Sequence, residues 1–204
     1  MGGHIYGNGL GEIPLAEQAG KEIWMTEYLL NDYTGQYDGD PRWGGFTEEQ
    51  KWDQSIEMLT SVHVAMESNW NAYIWWYLKR YYSFIGEGQQ GSTNGEILKR
   101  GYAFSHFSKF IRPGYERVDA VHPRLTDLSV TAYEGDDKVV VEVLNSTSSS
   151  KSYRVVVPGI NISDADVYTT SLNTNRKGAE FEIKNGGVEM RVVAKSITTV
   201  ILDK

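Results

Sequence analysis

The sequence predicts an α/β fold followed by an all-β domain. Across residues 1–113, apolar runs bounded by turn residues alternate with stretches of helical periodicity, as in a parallel sheet covered by helices. Across residues 114–204, apolar residues recur at every second position, and turn residues interrupt them about every ten positions. This second pattern is typical of an antiparallel β-sandwich. We therefore expect two domains, with a boundary between residues 113 and 114.

The α/β region contains three predicted strands and two predicted helices. Near-continuous apolar runs predict buried strands at 21–27 and 71–78, and the end of a strand at 4–7. Helices are predicted at 47–68 and 98–111. Two strand–helix units cannot close a barrel of eight strands, so we expect this region to be part of a larger sheet or barrel.

The alternating pattern of the all-β region predicts seven or eight short strands. The inward-facing residues of its last strand are predicted to be Ile197, Thr199 and Ile201, and Asn185-Gly186-Gly187 is expected to form a hairpin turn. The pattern shows no cluster of carboxylates, histidines or exposed aromatic residues in this region. Structural support is therefore its expected role, with carbohydrate binding as the alternative.

The composition argues against several classes of function. The net charge of −7 and the lack of a basic cluster argue against binding of nucleic acid. Cysteine is absent and the four histidines lack the spacing of metal ligands, so we expect no metal and no other cofactor. No apolar stretch is long enough to predict a membrane span, and no signal peptide is evident at the start.

Glu27 is the first candidate for chemistry. It ends the apolar run at 21–27, and burying an ionised carboxylate without partners is costly. We therefore expect it at the carboxyl end of the strand, facing a polar cleft, where strand–helix barrels carry their catalytic groups. The alternative is a glutamate that merely begins the solvated loop after the strand. This run alone does not decide between the two interpretations.

Four segments together resemble a known family. They are residues 4–7 (His-Ile-Tyr-Gly), 22–27 (Glu-Ile-Trp-Met-Thr-Glu), 73–77 (Tyr-Ile-Trp-Trp-Tyr) and 99–115. The sequence resembles glycoside hydrolase family 30, and is most similar to its bacterial endo-β-1,4-xylanases and glucuronoxylanases. The resemblance implies that residues 1–113 are the C-terminal part of a (β/α)8 TIM barrel, from the end of strand six through helix eight. Residues 114–204 would then be the family's β-sandwich side domain.

The resemblance implies catalytic roles at two strand ends. Glu27 corresponds to the nucleophile of a retaining glycosidase, which forms a covalent glycosyl-enzyme while a second carboxylic acid protonates the leaving oxygen. Tyr6 corresponds to the residue that hydrogen-bonds and orients this nucleophile. His4 lies two residues before Tyr6, on the same face of the strand, and is expected to line the same cleft.

The resemblance also implies substrate-binding roles after the strand at 71–78. Trp76 corresponds to an indole floor beneath the sugar at the cleavage point, while Trp75 is expected to face the opposite way, into the core. Arg80 and Tyr82 correspond to the pair that binds the carboxylate of a methylglucuronic acid branch in glucuronoxylanases, since a guanidinium can hold a carboxylate through two hydrogen bonds. The alternative for Arg80 is an ordinary solvated charge.

Two loops depart from the family pattern near this branch site. The loop at 29–45 is long, and its Tyr33 and Tyr37 do not align clearly with the family's branch contacts. An insertion at 86–94 enlarges the loop at 83–95, beside Arg80. Either departure would reshape the pocket toward unsubstituted xylan.

The residues and the resemblance together predict a retaining endo-xylanase that acts on glucuronoxylan. Such an enzyme is expected to be secreted and monomeric, with a polysaccharide substrate and no nucleic acid or membrane partner. The family's acid/base glutamate follows an asparagine, and this chain contains no Asn-Glu pair. We therefore expect a fragment of a longer protein, with little activity alone. The alternatives are a family member that acts on another β-glycan or on glucosylceramide, and a non-catalytic carbohydrate-binding remnant.

Overall fold

In a computed structural model, the chain forms two compact units, Met1–Gly101 and Tyr102–Lys204. The structure describes residues 1–6, 9–30, 43–122 and 127–204. A domain boundary between residues 113 and 114 stays a prediction. None of the helices in the described ranges combines the length and the apolar character required to cross a membrane.

The first unit contains a parallel sheet and its covering helices. Its elements are β1 (Gly2–His4), α1 (Pro14–Gln18), β2 (Trp24–Glu27), a 3₁₀ turn at Trp43–Gly45, α2 (Glu48–Glu67), β3 (Ala72–Tyr73) and the first residues of α3 (Lys99–Phe110). The strand order is β1-β2-β3, and both pairs are parallel. The carboxyl ends of neighbouring parallel strands therefore lie along the same edge of the sheet. The short helix α1 was not predicted.

Helix α2 begins close to its predicted start because Thr47 caps it. The Gln50 backbone N–H donates to Thr47 Oγ1 at 3.2 Å, and the Thr47 N–H donates to Gln50 Oε1 at 2.8 Å. This reciprocal pair satisfies two donors that would otherwise lack partners at the helix start. The side chains of Trp52 and Leu59 are fully buried along the apolar face of the helix. The capping pair thus fixes the residue at which α2 begins.

The third strand is shorter than the predicted 71–78. Only Ala72–Tyr73 pairs regularly with β2. Beyond it, the Ile74 N–H donates to Met25 O at 2.9 Å, and the Trp76 N–H donates to Tyr28 O at 2.9 Å. Two residues of one segment thus match three of the other, so the register slips and the ladder becomes irregular. A continuous apolar run carries no sign of such a slip.

The second unit contains two antiparallel sheets. Its strands are β4 (Glu116–Val118), β5 (Leu128–Glu134), β6 (Lys138–Asn145), β7 (Lys151–Val155), β8 (Ala165–Ser171), β9 (Thr174–Gly178), β10 (Phe181–Lys184), β11 (Gly187–Val192) and β12 (Ser196–Asp203). The strand orders are β4-β5-β6-β12-β8-β9 and β10-β11-β7. Residues from both sheets, such as Val143 and Val188, share one hydrophobic core. This is the predicted sandwich.

The turn between β10 and β11 has the predicted form. Asn185 and Gly186 have positive φ angles of 50° and 69°, and Lys184 pairs directly with Gly187. Two consecutive left-handed residues match the twist of a tight hairpin, which Asn-Gly adopts with little strain. The turn sequence therefore sets the register of this hairpin.

The prediction of which β12 side chains point into the sandwich core was wrong. Val200 and Leu202 contact the sandwich core, so Ile197, Thr199 and Ile201 lie on the opposite face. Ile197 and Thr199 are nevertheless fully buried. Because both faces of this strand are covered, its sequence lacks the apolar and polar alternation that would reveal which face meets the core.

A buried polar network occupies the outer face of β12. Thr199 Oγ1 lies 2.6 Å from His106 Nδ1 and donates to both Glu142 oxygens at 2.9 and 2.8 Å. On the other ring edge, His106 Nε2 lies 2.7 Å from Thr170 Oγ1, which accepts from the Arg176 N–H at 2.8 Å. Burial keeps the pKa of Glu142 well above its ordinary value. Burial, with the charge of Arg176, lowers the pKa of His106 to about 3.

This network predicts that stability falls with rising pH through Glu142. In the folded state Glu142 retains a proton that the unfolded chain releases above the ordinary pKa of 4.5. The free energy of unfolding therefore falls as pH rises toward the raised pKa. Glu142→Gln removes this ionisation. We expect the variant to lose less unfolding free energy than the wild type as the pH rises from about 7 toward the raised pKa, by at most about 1.4 kcal/mol per pH unit. Urea unfolding at each pH measures the difference.

The chosen pH range separates Glu142 from His106. A histidine with a lowered pKa destabilises the fold only below its ordinary value of 6.5, where the unfolded chain binds the proton. Glu182→Gln is a matched control, because Glu182 is exposed on β10. It should retain the wild-type slope. Equal slopes for Glu142→Gln and wild type would contradict the prediction.

Candidate active site

Three side chains meet where β1 and β2 end. His4 is paired with Glu27 across the parallel ladder, after a shift of register between Gly3 and His4. The Tyr6 hydroxyl donates to Glu27 Oε1 over a long 3.4 Å, and His4 Nδ1 lies 3.8 Å from the same oxygen. The Glu27 side chain retains 27% of its exposure and that of His4 retains 53%. The three residues therefore form a polar group at the sheet edge that water reaches.

The environment of Tyr6 keeps its phenol neutral. Partial burial raises the pKa of Tyr6, and the charge of Glu27 and the hydrogen bond to it act in the same direction. The phenol is thus a stable donor to Glu27 Oε1. Within the described part of the chain, Glu27 Oε2 has no hydrogen-bond or ion-pair partner. One carboxylate oxygen thus accepts from Tyr6, and the other makes no such contact within the described residues.

The adjacent indoles of Trp75 and Trp76 face different surroundings. Trp75 is 6% exposed and stacks on Phe84 with a centroid distance of 6.1 Å. Trp76 is 39% exposed, and its peptide bond to Tyr77 is cis. Its backbone N–H bonds to Tyr28, the residue after Glu27. Trp75 thus lies in the core as expected, while Trp76 presents an open apolar face near the end of β2.

Arg80 lies among aromatic side chains and one carboxylate. Its Cζ is 5.7 Å from the ring centroids of both Tyr77 and Tyr81. Its Nη1 lies 3.5 Å from Glu87 Oε2. The Arg80 side chain keeps 44% of its exposure, whereas Glu87 keeps 17%. The guanidinium is therefore flanked by rings yet open to solvent, a setting that suits binding of an anion.

Tyr82 is buried in this structure. It is 3% exposed and packs with Trp43 and Phe46. Burial raises the pKa of Tyr82 to about 12, and the charge of nearby Arg80 opposes that rise. The structure thus places Tyr82 within electrostatic reach of Arg80. A direct contact of its hydroxyl with substrate stays a prediction.

The structure adds residues that sequence patterns missed. Glu87 lies in the predicted insertion and contacts Arg80, but the contact depends on how the loop folds back. A glutamate between two glycines was the available signal for a tightly placed side chain. Tyr33 and Tyr37, which were compared above with the family's branch contacts, lie outside the described residues. Across the described ranges, no cluster of three or more histidines and carboxylates is suited to a metal ion.

Arg100 joins the loops that carry these groups. It is 2% exposed, and its Nη1 donates to the carbonyl oxygens of Leu30 and Tyr82, both at 2.6 Å. Its Nη2 donates to Gln54 Oε1 on α2 at 3.2 Å. One side chain therefore ties the segment after Glu27 to the segment after Arg80. Burial lowers the pKa of Arg100 to about 9.

This arrangement predicts that Arg100→Lys destabilises the chain by about 3 kcal/mol, since each buried acceptor left without a donor costs about 1–3 kcal/mol. A single ammonium cannot reach three acceptors on different segments as the planar guanidinium does. Chemical unfolding measures the loss. Arg112→Lys is the control, because Arg112 is exposed and donates only to Ser108 O. A loss no larger than that of the control would contradict the role of Arg100.

Known proteins are similar to this chain along its whole length. No protein-family model matches the sequence. The chain is 32% identical over 211 residues to glucuronoxylanase XynC of Bacillus subtilis (strain 168), an alignment that covers 100% of this chain and 46% of that protein. It therefore spans about half the length of the curated relatives that it matches.

Solved structures give the same result. The glycoside hydrolase family 30 subfamily 8 xylanase Xyn30A of Clostridium acetobutylicum matches with a TM-score of 0.80 and 28% identity, over 100% of this chain and 48% of that one. A family 30 endoxylanase of Clostridium papyrosolvens C71 matches with a TM-score of 0.78 and 31% identity, over the same shares. These relatives are glycosidases. The chain is homologous to the C-terminal portion of glycoside hydrolase family 30 xylanases.

Proposed function

We propose that this chain supplies the nucleophile half of a retaining glycoside hydrolase site that cleaves xylan. The observation that carries the proposal is the contact of Tyr6 and His4 with Glu27 at the carboxyl ends of two adjacent parallel strands. Catalytic groups of strand–helix barrels stand at this edge. We further propose that Met1–Gly101 is the last part of such a barrel.

In the proposed reaction, Glu27 attacks the anomeric carbon of a xylose unit. A bond forms from the carboxylate to that carbon while the bond to the leaving sugar oxygen breaks, and that oxygen takes a proton from a second carboxylic acid. Water then cleaves the glycosyl-enzyme and restores Glu27. The proton donor would come from outside these 204 residues. Tyr6 holds one Glu27 oxygen and leaves the other free to react.

The proposed substrate is xylan with acidic branches. The homologue XynC is named a glucuronoxylanase, and Arg80 offers an exposed guanidinium over the ring of Tyr77, whose centroid lies 4.1 Å from that of the Trp76 ring. A guanidinium recognises the carboxylate of a uronic acid, while an indole suits the C–H face of a sugar ring. Because such a polymer is too large to enter a cell, we propose an extracellular location. Tyr82 remains a predicted second contact to the branch.

The nucleophile assignment predicts that Glu27→Gln abolishes cleavage. The amide cannot form the glycosyl-enzyme, so we expect the rate to fall by at least about a thousandfold, since enzymes lower such barriers by many kcal/mol. The test uses a chimera in which this chain replaces the C-terminal portion of B. subtilis XynC. Release of reducing ends from glucuronoxylan measures activity.

Glu22→Gln is the matched control for this substitution. Glu22 is exposed and accepts from Trp24 Nε1 at 3.0 Å, away from the Tyr6 contact. This variant of the chimera should retain its activity. Undiminished activity of Glu27→Gln would refute the nucleophile assignment, and cleavage of a different β-glycan in preference to xylan would refute the substrate.

The branch assignment predicts that Arg80→Ala removes the preference for acidic branches. We expect the ratio of kcat/KM on glucuronoxylan to kcat/KM on debranched xylan to fall by about tenfold, the effect of losing about 1.4 kcal/mol of charge-assisted hydrogen bonding. Activity on debranched xylan should change little. Lys79→Ala, the neighbouring exposed cation, serves as the control. An unchanged ratio in Arg80→Ala would contradict the assignment.

A further inference from the structure

Glu87 stands beside the cation that we assign to branch binding. Its Oε2 lies 3.5 Å from Arg80 Nη1, and its other oxygen is buried and makes no hydrogen bond. A carboxylate that is mostly removed from water, with one oxygen unsatisfied, is costly to maintain. Its single partner in the described structure is Arg80. The contact with Arg80 thus offsets part of this cost.

The loop holds Glu87 in place from both sides. Ile85 bridges Lys79, and the Gly86 N–H donates to Glu96 O at 2.8 Å. A Cβ on Gly86 would clash with the backbone carbonyl oxygen of Thr93, so no other residue fits there. Gly88 has a φ of +87°, a conformation that favours glycine. The backbone on each side of Glu87 is thus set by close approach and by turn geometry.

The contact leaves most of the Arg80 fork available. Glu87 engages one terminal nitrogen through one oxygen, and the remaining guanidinium nitrogens make no other hydrogen bond in the described structure. A carboxylate needs two adjacent N–H groups of the fork for a bidentate contact. With Tyr77 and Tyr81 against the group and Glu87 on one corner, the orientation of the open edge is fixed.

We propose that Glu87 is a positioning residue that orients Arg80 to receive the carboxylate of an acidic xylan branch. The inference rests on the proposed function of Arg80 and assigns its orientation to the insertion at 86–94. The insertion thereby supports selection of acidic branches rather than unsubstituted xylan. The cost is a negative charge near the incoming carboxylate. The single contact, at 3.5 Å, limits that cost, whereas a bidentate pair would occupy the fork.

Two substitutions separate position from charge. Glu87→Gln keeps an oxygen that accepts from Arg80 but removes the negative charge, whereas Glu87→Ala removes both. In the chimera, Glu87→Ala should lower the ratio of kcat/KM on glucuronoxylan to that on debranched xylan by about fivefold, the upper range for one partly exposed ion pair. Glu87→Gln should keep at least the wild-type ratio. Glu96→Ala is the control, because Glu96 is exposed on the same loop and makes no ion pair or side-chain hydrogen bond with Arg80.

A second measurement needs no substrate. In the 15N-labelled chain, the Nε–Hε signal of Arg80 reports the order of its guanidinium on the ps–ns timescale through the heteronuclear NOE. We expect an ordered group in the wild type, in Glu87→Gln and in Glu96→Ala, and a mobile group in Glu87→Ala. A mobile Arg80 in the wild type would overturn the proposal.

The activity ratios distinguish the remaining outcomes. A ratio that rises in both Glu87 variants would show that Glu87 competes with the branch for Arg80, and an unchanged ratio in Glu87→Ala would show no role; either result overturns positioning. If Arg80→Ala leaves the ratio unchanged, the proposed function fails at Arg80. The NMR comparison then still decides whether Glu87 orders that side chain.

Discussion

The first unit depends on one buried cation. Arg100 donates to Leu30 and Tyr82, and its Cζ lies 4.9 and 5.0 Å from the ring centroids of Trp43 and Trp75. Removing a guanidinium from water is costly, so the group stays buried only where carbonyl oxygens and indole faces replace its hydration. The loops after β2 and β3 must therefore keep their carbonyls turned toward this point. This requirement restrains the segments that follow Glu27 and Arg80.

The chemistry of the strand ends follows from parallel pairing. In a parallel sheet all carboxyl ends share one edge, so residues far apart in sequence, such as Tyr6 and Glu27, come into contact there. The slip of register beyond β3 adds to this effect, because it brings the Trp76 backbone to Tyr28. An irregular ladder at a sheet edge turns side chains out of the pleat. Trp75 and Trp76 face opposite ways, as consecutive residues of an extended segment do, and Trp76 is the exposed one.

The sequence predicted those features that depend on local periodicity. The capping box of α2, the sandwich pattern and the Asn185 turn each follow from a few adjacent residues. The facing of β12 did not, because Thr199 is polar yet fully buried against His106 on a second covered face. The contact of Glu87 with Arg80 also could not be predicted from the sequence. It depends on how a loop closes, and no period links residues seven apart in an irregular segment.

The buried network of the second unit and the proposed site in the first unit differ in how they hold charged groups. In the second unit, full burial favours the neutral forms of Glu142 and His106, so the network there acts through hydrogen bonds rather than through charge. The roles proposed for Glu27 and Arg80, as a nucleophile and as a cation that binds anions, instead depend on charge and on access from solvent. Glu27 and Arg80 retain 27% and 44% of their side-chain exposure, and the contacts of their charged groups with Tyr6, His4 and Glu87 are 3.4–3.8 Å long. A contact of that kind orients a charge without removing it from the solvent through which a polysaccharide must approach.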